Sequence, residues 1–149
     1  MRYSDSEQMR YTASEEGNVT AQLQPDGQKV IWQVGGERAT AREILDFLPD
    51  LNANGFHQVK GRTGLLDLDV AGTPSHANAA QLAGWLTSFD ETRVWNKWQD
   101  SYGLKHTFER ETGTYMPNGA FIVGVIQAGF TIRTTSGLNA QMKLMRAAL

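Results

Sequence analysis

Residues 115–130, YMPNGAFIVGVIQAGF, constrain this chain more than any other stretch. Ala120, Phe121, Ile122, Val123, Val125, Ile126 and Ala128 cover nearly the whole circumference of a helix, with Gln127 the single polar break. A helix apolar on all sides has no face to give to water, so it must lie at the centre of the core. The run falls short of the ~20 apolar residues that a bilayer crossing requires. Its ends carry helix punctuation. Asn118 reads as the N-cap, its side-chain oxygen taking a free backbone N–H of the first turn. Gly129 reads as the left-handed terminator, which sends Phe130 back onto Val125 in a Schellman arrangement.

The flanking chain supplies what wraps that helix. Residues 1–17 are polar and read as an N-terminal arm, either a frayed end or a segment that orders on a partner. Residues 18–34 read as a hairpin with one apolar face, Val19, Ala21 and Leu23 on the first strand and Val30, Trp32 and Val34 on the second, turning at Gln24-Pro25-Asp26-Gly27. A Gly35-Gly36 turn leads into a short strand at 37–39. Thr40 and Glu43 form a capping box for a helix that ends before Pro49. A second hairpin is expected at 56–70, around Gly61-Arg62-Thr63-Gly64. Thr73-Pro74 opens a helix with Leu82, Trp85, Leu86 and Phe89 on one stripe. Asp90 reads as the cap of a further helix carrying Val94, Trp95 and Trp98. A polar connection follows at 103–115. After the central helix come a strand at 130–134 and a last helix with Leu138, Met142, Met145 and Leu149 on one face. Without a regular βαβ alternation the expectation is α+β: a small, mainly antiparallel sheet of hairpins against four to five helices, with residues 18–149 as one domain.

The sharpest chemical motif is Leu65-Leu66-Asp67-Leu68-Asp69-Val70. On a strand, Asp67 and Asp69 share a face about 6–7 Å apart, a spacing that suits one or two divalent cations, Mg²⁺ or Mn²⁺. These six residues resemble the apolar-Asp-apolar-Asp strand of phosphoryl-transfer enzymes, polymerase-like and primase-like folds among them. The resemblance implies a metal-dependent nucleotide or nucleic-acid enzyme, which needs further ligands that no motif here supplies. The plainer reading is a strand with a wet face. His57 and His76 could join Asp67 and Asp69 in an acid–base constellation; ordinary surface histidines are the simpler account. Ser75 lacks a nucleophile elbow, and neither glycine pair matches a phosphate-binding loop.

Basic and aromatic residues interleave at Arg93, Trp95, Lys97, Trp98, Lys105, His106 and Arg110, a mixture that binds single-stranded nucleic acid through stacking and phosphate contacts. Trp95 and Trp98, three apart, suit a core equally well. Lys60 and Arg62 place two cations at a hairpin tip. The formal net charge of −2 argues against a nucleic-acid binder driven by a global positive field, and the absence of cysteine excludes thiolate zinc sites and cysteine nucleophiles. The first residues lack an apolar leader run, so a cytoplasmic setting is expected. The reading that follows is a non-enzymatic module that binds a protein partner without a cofactor, through Lys60, Arg62, Trp95, Lys97, Trp98, Lys105 and Arg110, with the 60–62 hairpin tip, the 95–98 helix and the 103–115 connection as its contact surfaces. Phage and mobile-element proteins that act on host complexes are one setting for such accessory modules. The alternatives are the Asp67/Asp69 metal enzyme and a single-strand nucleic-acid binder using Trp95 and Trp98.

Overall fold

In the computed structural model, residues 10–34, 38–56, 76–96 and 99–147 are described, with the backbone alone at His76 and Ala77. In chain order the elements are β1 (Tyr11–Ala13), β2 (Val19–Leu23), β3 (Lys29–Gln33), α1 (Ala41–Phe47), α2 (His76–Leu86), β4 (Phe89–Glu91), α3 (Ser101–Thr112), α4 (Asn118–Gln127), β5 (Ile132–Thr134), β6 (Ala140–Met142) and β7 (Leu144–Arg146). The fold is α+β. A five-strand sheet runs β1-β2-β3-β5-β6, a two-strand sheet pairs β4 with β7, and all pairings are antiparallel. Of the expected 56–70 hairpin only Phe56 is described; His57, Lys60, Arg62, Asp67 and Asp69 lie outside the described residues, as do Lys97 and Trp98.

Register decides which sheet face is apolar. Ala21 lies opposite Ile31, Ile31 opposite Ile132, and Ile132 opposite Met142, so one buried row crosses four strands. This corrects the expectation for β3. Ile31 faces the core, while Val30 and Trp32 point outward, where Trp32 meets the ring of Tyr11 edge-on at 6.5 Å. The set Val30, Trp32 and Val34 is the more apolar, while the set Lys29, Ile31 and Gln33 holds one apolar residue, so a period of two picks the wrong face; pairing of Ile31 with Ala21 and Ile132 decides it. Tyr11–Ala13 also brings part of the expected arm into the sheet.

The central helix α4 is as the sequence demands. Ala120, Phe121, Ile122, Val123, Val125 and Ile126 are all buried, and α4 packs on α1, α2, α3 and β3. Gly129 takes φ +95°. Its N–H bonds to Ile126 C=O at 2.9 Å and that of Phe130 to Val125 C=O at 3.3 Å, the two bonds of a Schellman motif. The N-cap is Pro117 rather than Asn118, which sits one position into the helix and uses its side chain elsewhere. Close approach is built into α4. At Gly119 a Cβ would fall 1.7 Å from the carbonyl oxygen of Asn52, and the Gly119 N–H bonds to Ala53 C=O at 3.0 Å.

The capping box at α1 is half formed. Thr40 Oγ1 accepts the Glu43 N–H at 3.0 Å. The Glu43 carboxylate, instead of turning back to Thr40, is buried against the first strands. It accepts from the Ser14 hydroxyl, from the Asn18 N–H at 3.1 Å and from Asn18 Nδ2 at 3.0 Å. Ser14 Oγ in turn accepts the Val19 N–H at 3.1 Å. A carboxylate bonded to three donors in the interior prefers them to a solvent-side cap.

Four local expectations are overturned. Arg38 and Ala39 lie outside any strand. Phe89 and Asp90 belong to β4 rather than to helices, so residues 92–96 are irregular, and the expected polar connection at 103–115 is mostly the helix α3. The final apolar stripe is not helical. Ala140, Met142 and Leu144 are buried in alternation through β6 and β7, and Met145 points out. The period-two set Ala140/Met142/Leu144 competes with the helical set Leu138/Met142/Met145, and pairing with β5 and β4 selects the former.

Gly119→Ala is expected to destabilise the fold by about 1–3 kcal/mol or more, because a backbone oxygen cannot rotate away from the new methyl group. Gly84→Ala, whose Cβ would meet nothing within 4 Å in α2, is expected to stabilise by about 0.5–1 kcal/mol. Urea unfolding of the two variants checks both signs.

Candidate partner-binding cleft

The helix α3 carries little apolar sequence, and its buried apolar residues, Leu104 and Phe108, stand four apart on one face. Asp100 caps its start by accepting the Gly103 N–H at 2.8 Å, and Gly113 ends it with φ +75°. Lys105 follows Leu104 and is buried, with 6% of its surface exposed. A buried ammonium requires a partner. Glu109, one turn on, provides it with Oε2 3.0 Å from Lys105 Nζ. The same carboxylate oxygen accepts the Met116 N–H at 3.0 Å, which folds the chain beyond Gly113 back along the helix, and Oε1 lies 3.1 Å from His106 Nδ1.

That fold-back delivers Tyr115. Lys105 Nζ stands 5.2 Å from the centre of the Tyr115 ring and 5.7 Å from that of Tyr102, within cation–π range of both. The rings themselves are open to solvent, 70% exposed for Tyr115 and 53% for Tyr102. Two large aromatic surfaces in water beside a buried ammonium are unusual as mere packing.

The floor of the same cleft is set by α4. Asn118, 7% exposed, donates from Nδ2 to the Asn54 carbonyl and to Asn139 Oδ1, both at 2.9 Å. The Asn54 carbonyl can only accept, so Nδ2 must face it and Oδ1 must point the other way. Oδ1 is buried and has no hydrogen-bond partner among the described residues. The cavity bounded by Asn54, Tyr102, Lys105, Tyr115, Asn118 and Asn139 has a volume of about 390 Å³.

Of the described residues named from the sequence as partner-binding, Lys105 is brought to this cleft, and Trp95 and Arg110 are not. Arg110, five positions along α3 from Lys105, is turned about 140° around the axis at 100° per residue and bonds to Thr107 Oγ1 at 3.3 Å. Trp95 lies on the five-strand sheet, with the Arg133 guanidinium 4.6 Å and Lys143 Nζ 5.0 Å from its ring centre. It is half-buried there, in irregular chain rather than on a helix or in the core. His76 begins α2, its side chain outside the described residues. Among the described residues no group of three or more His, Asp or Glu side chains could hold a metal ion, and no helix is long and apolar enough to cross a membrane. The sequence offered the 103–115 stretch, which ends at Tyr115, as a contact surface, but it singled out neither tyrosine ring nor the side-chain role of Asn118. The available signal was the Lys105/Glu109 spacing followed by Gly113, which marks a helix with its terminator where a connection was expected.

Comparison with protein-family models, with curated proteins and with solved structures finds no match for this chain.

Burial alone would raise the Glu109 carboxyl. The Met116 N–H, the hydrogen bond and charge of Lys105 and the charge of His106 outweigh it and hold the group below its ordinary value. A depressed carboxylate contributes stability above its unfolded value, about 4.3, and loses it as pH falls through the lower folded value. In thermal melts from pH 6 to pH 3, the stability advantage of the wild type over Glu109→Gln is therefore expected to shrink below about pH 4.3. A constant difference across that range would show that the carboxylate's charge contributes nothing.

Proposed function

We propose that this chain is a non-enzymatic protein-binding module whose contact surface is the cleft between α3, the start of α4 and the segments around Asn54 and Asn139. The observation that carries this reading is the pair of exposed tyrosines, Tyr102 and Tyr115, flanking the buried ammonium of Lys105. Exposed aromatic side chains beside a desolvated cation are the residue types that dominate interface energetics, because they bury large area at small entropic cost. Their rings are not needed to close the core, whose aromatic cluster of Trp85, Phe89, Phe108 and Phe121 lies elsewhere.

A second reading has a specific observation behind it. Trp95 between Arg133 and Lys143 forms a basic–aromatic patch, the composition that tracks single-stranded nucleic acid. The protein-binding reading is favoured because Trp95 is half-buried between its two cations, whereas Tyr102 and Tyr115, although each faces Lys105, keep more than half of their surface exposed.

The test is affinity capture from host lysate with nuclease treatment, followed by measurement of the recovered partner against Tyr102→Ala/Tyr115→Ala. A stoichiometric protein partner is expected, with affinity reduced by about tenfold or more in the double variant, as for loss of an interface anchor. The melting temperature is expected to stay unchanged. Unchanged affinity would place the interface elsewhere. Binding to oligo-dT that falls steeply with added salt and is lost in Arg133→Ala would replace this reading with the nucleic-acid one.

A further inference from the structure

Arg133 of β5 and Gln141 of β6 stand opposite each other, and Lys143 follows Gln141 by two residues. Both cations lie over one ring. The Arg133 guanidinium carbon is 4.6 Å, and Lys143 Nζ 5.0 Å, from the centre of the Trp95 indole. All three residues are half-buried. Arg42, Lys105 and Arg146 each pair with a carboxylate, but neither Arg133 nor Lys143 does so among the described residues. Two like charges gathered around one indole repel, and partial burial weakens the screening that water would give. Arg133 is also set in place. Gln141 Oε1 accepts from its Nε at 3.0 Å and from its Nη2. That occupies one side of the planar guanidinium. The parallel N–H pair at its Nη1–Nη2 end has no partner among the described residues, and this is an edge that a carboxylate accepts in bidentate fashion.

We infer that Arg133 and Lys143 receive carboxylate side chains from an acidic segment of the protein partner, with Trp95 as the brace that holds the two cations. This inference rests on the protein-binding reading above and adds the partner's charge through a second contact. It does not require one segment to fill both this patch and the cleft. Two observations select carboxylates over a phosphate backbone. The patch is bordered by negative charge. On the Lys143 side, Glu91 Oε2 accepts from Thr131 Oγ1 at 3.1 Å, and the Thr131 C=O accepts the Lys143 N–H at 3.1 Å. On the Gln141 side, Asp100 stands in register with Gln141. A phosphate chain, charged at every nucleotide, would run onto these carboxylates, whereas a peptide can place its acidic residues on the cations alone. The other observation concerns the ring. A base stacks on an open aromatic face, and Trp95 already presents its ring to its own two cations.

The test uses the full chain and a capped twelve-residue peptide of alternating glycine and glutamate, with its glutamine counterpart and oligo-dT as comparisons, in fluorescence anisotropy at low salt. The glutamate peptide is expected to bind and the glutamine peptide is not. Arg133→Gln/Lys143→Gln is expected to weaken binding about tenfold, as for the loss of two ion pairs. Arg38→Gln/Arg42→Gln, which removes the same charge elsewhere, is expected to leave affinity unchanged. Should the Arg133→Gln/Lys143→Gln chain fail to fold, the wild type carries the test by NMR: the Trp95 indole N–H and the Arg133 Nε–H are expected to shift as the glutamate peptide is added. Absence of binding overturns the inference. So does equal weakening by both charge-removing variants, or shifts spread over the cationic residues at large. Oligo-dT binding that is lost in Arg133→Gln/Lys143→Gln overturns it in favour of nucleic acid. A captured partner that depends on Tyr102 and Tyr115 but not on Arg133 and Lys143 overturns this inference and leaves the protein-binding reading standing. One that depends on neither pair overturns both.

Discussion

The burial of α4 on every side is the constraint from which the rest of this structure follows. Six consecutive-turn side chains, from Ala120 to Ile126, have no route to solvent. Each large one contributes about 1.5–3 kcal/mol only if something apolar covers it. The five-strand sheet covers one flank through the row Ala21, Ile31, Ile132 and Met142, and α1, α2 and α3 cover the others. Gly119 lets the loop carrying Asn52 and Ala53 close over the helix start. Gly124 does the same for α2, where a Cβ would lie 2.3 Å from a Leu82 methyl carbon. The cleft is a by-product of this closure. The loop that seals the start of α4 stops at Asn54, the turn at Asn139 stops opposite, and Tyr115 arrives from α3.

How much of this was legible follows the strength of the local signal. The α4 segment could be read outright because no other structure hides an all-apolar circumference, and its Schellman end was written in Gly129 and Phe130. The Gln24–Gly27 turn was equally explicit: Gly27 takes φ +89° and its N–H bonds to Gln24 C=O at 2.9 Å. Elements whose two periodicities compete were misread. The stripe Leu138, Met142 and Met145 is helical in spacing, yet Ala140, Met142 and Leu144 alternate, and only the partner strands β5 and β4 break the tie. The helix α3 failed for the opposite reason. Its mean character is polar, so it lacked a broad apolar stripe, and its stability comes from caps and from the Lys105–Glu109–Met116 staple.

The candidate site was less legible than the fold. Lys105 could be named from its basic–aromatic neighbourhood, but its neighbours in space are not its neighbours in sequence. Tyr102 joins it across one turn of helix, Tyr115 through the fold-back after Gly113, and Asn54, Asn118 and Asn139 from three further segments. A cleft assembled from five stretches leaves no motif, since no single stretch holds more than two of its groups.

The knot of Ser14, Asn18 and Glu43 bears on how this sheet lives among other proteins. The carboxylate belongs to α1 and its donors to the turn between β1 and β2, so the strand at the sheet's margin is moored by a buried charge as well as by its ladder. β1 is three residues long and exposed throughout, the kind of margin that resists extension by a foreign strand. Proteolytic trimming ahead of Asn18 would remove Ser14 from Glu43 and bare the five-residue β2 as the new margin. β1 and the turn after it are in that sense a guard against edge-to-edge association, held shut by an ionised side chain from the first helix.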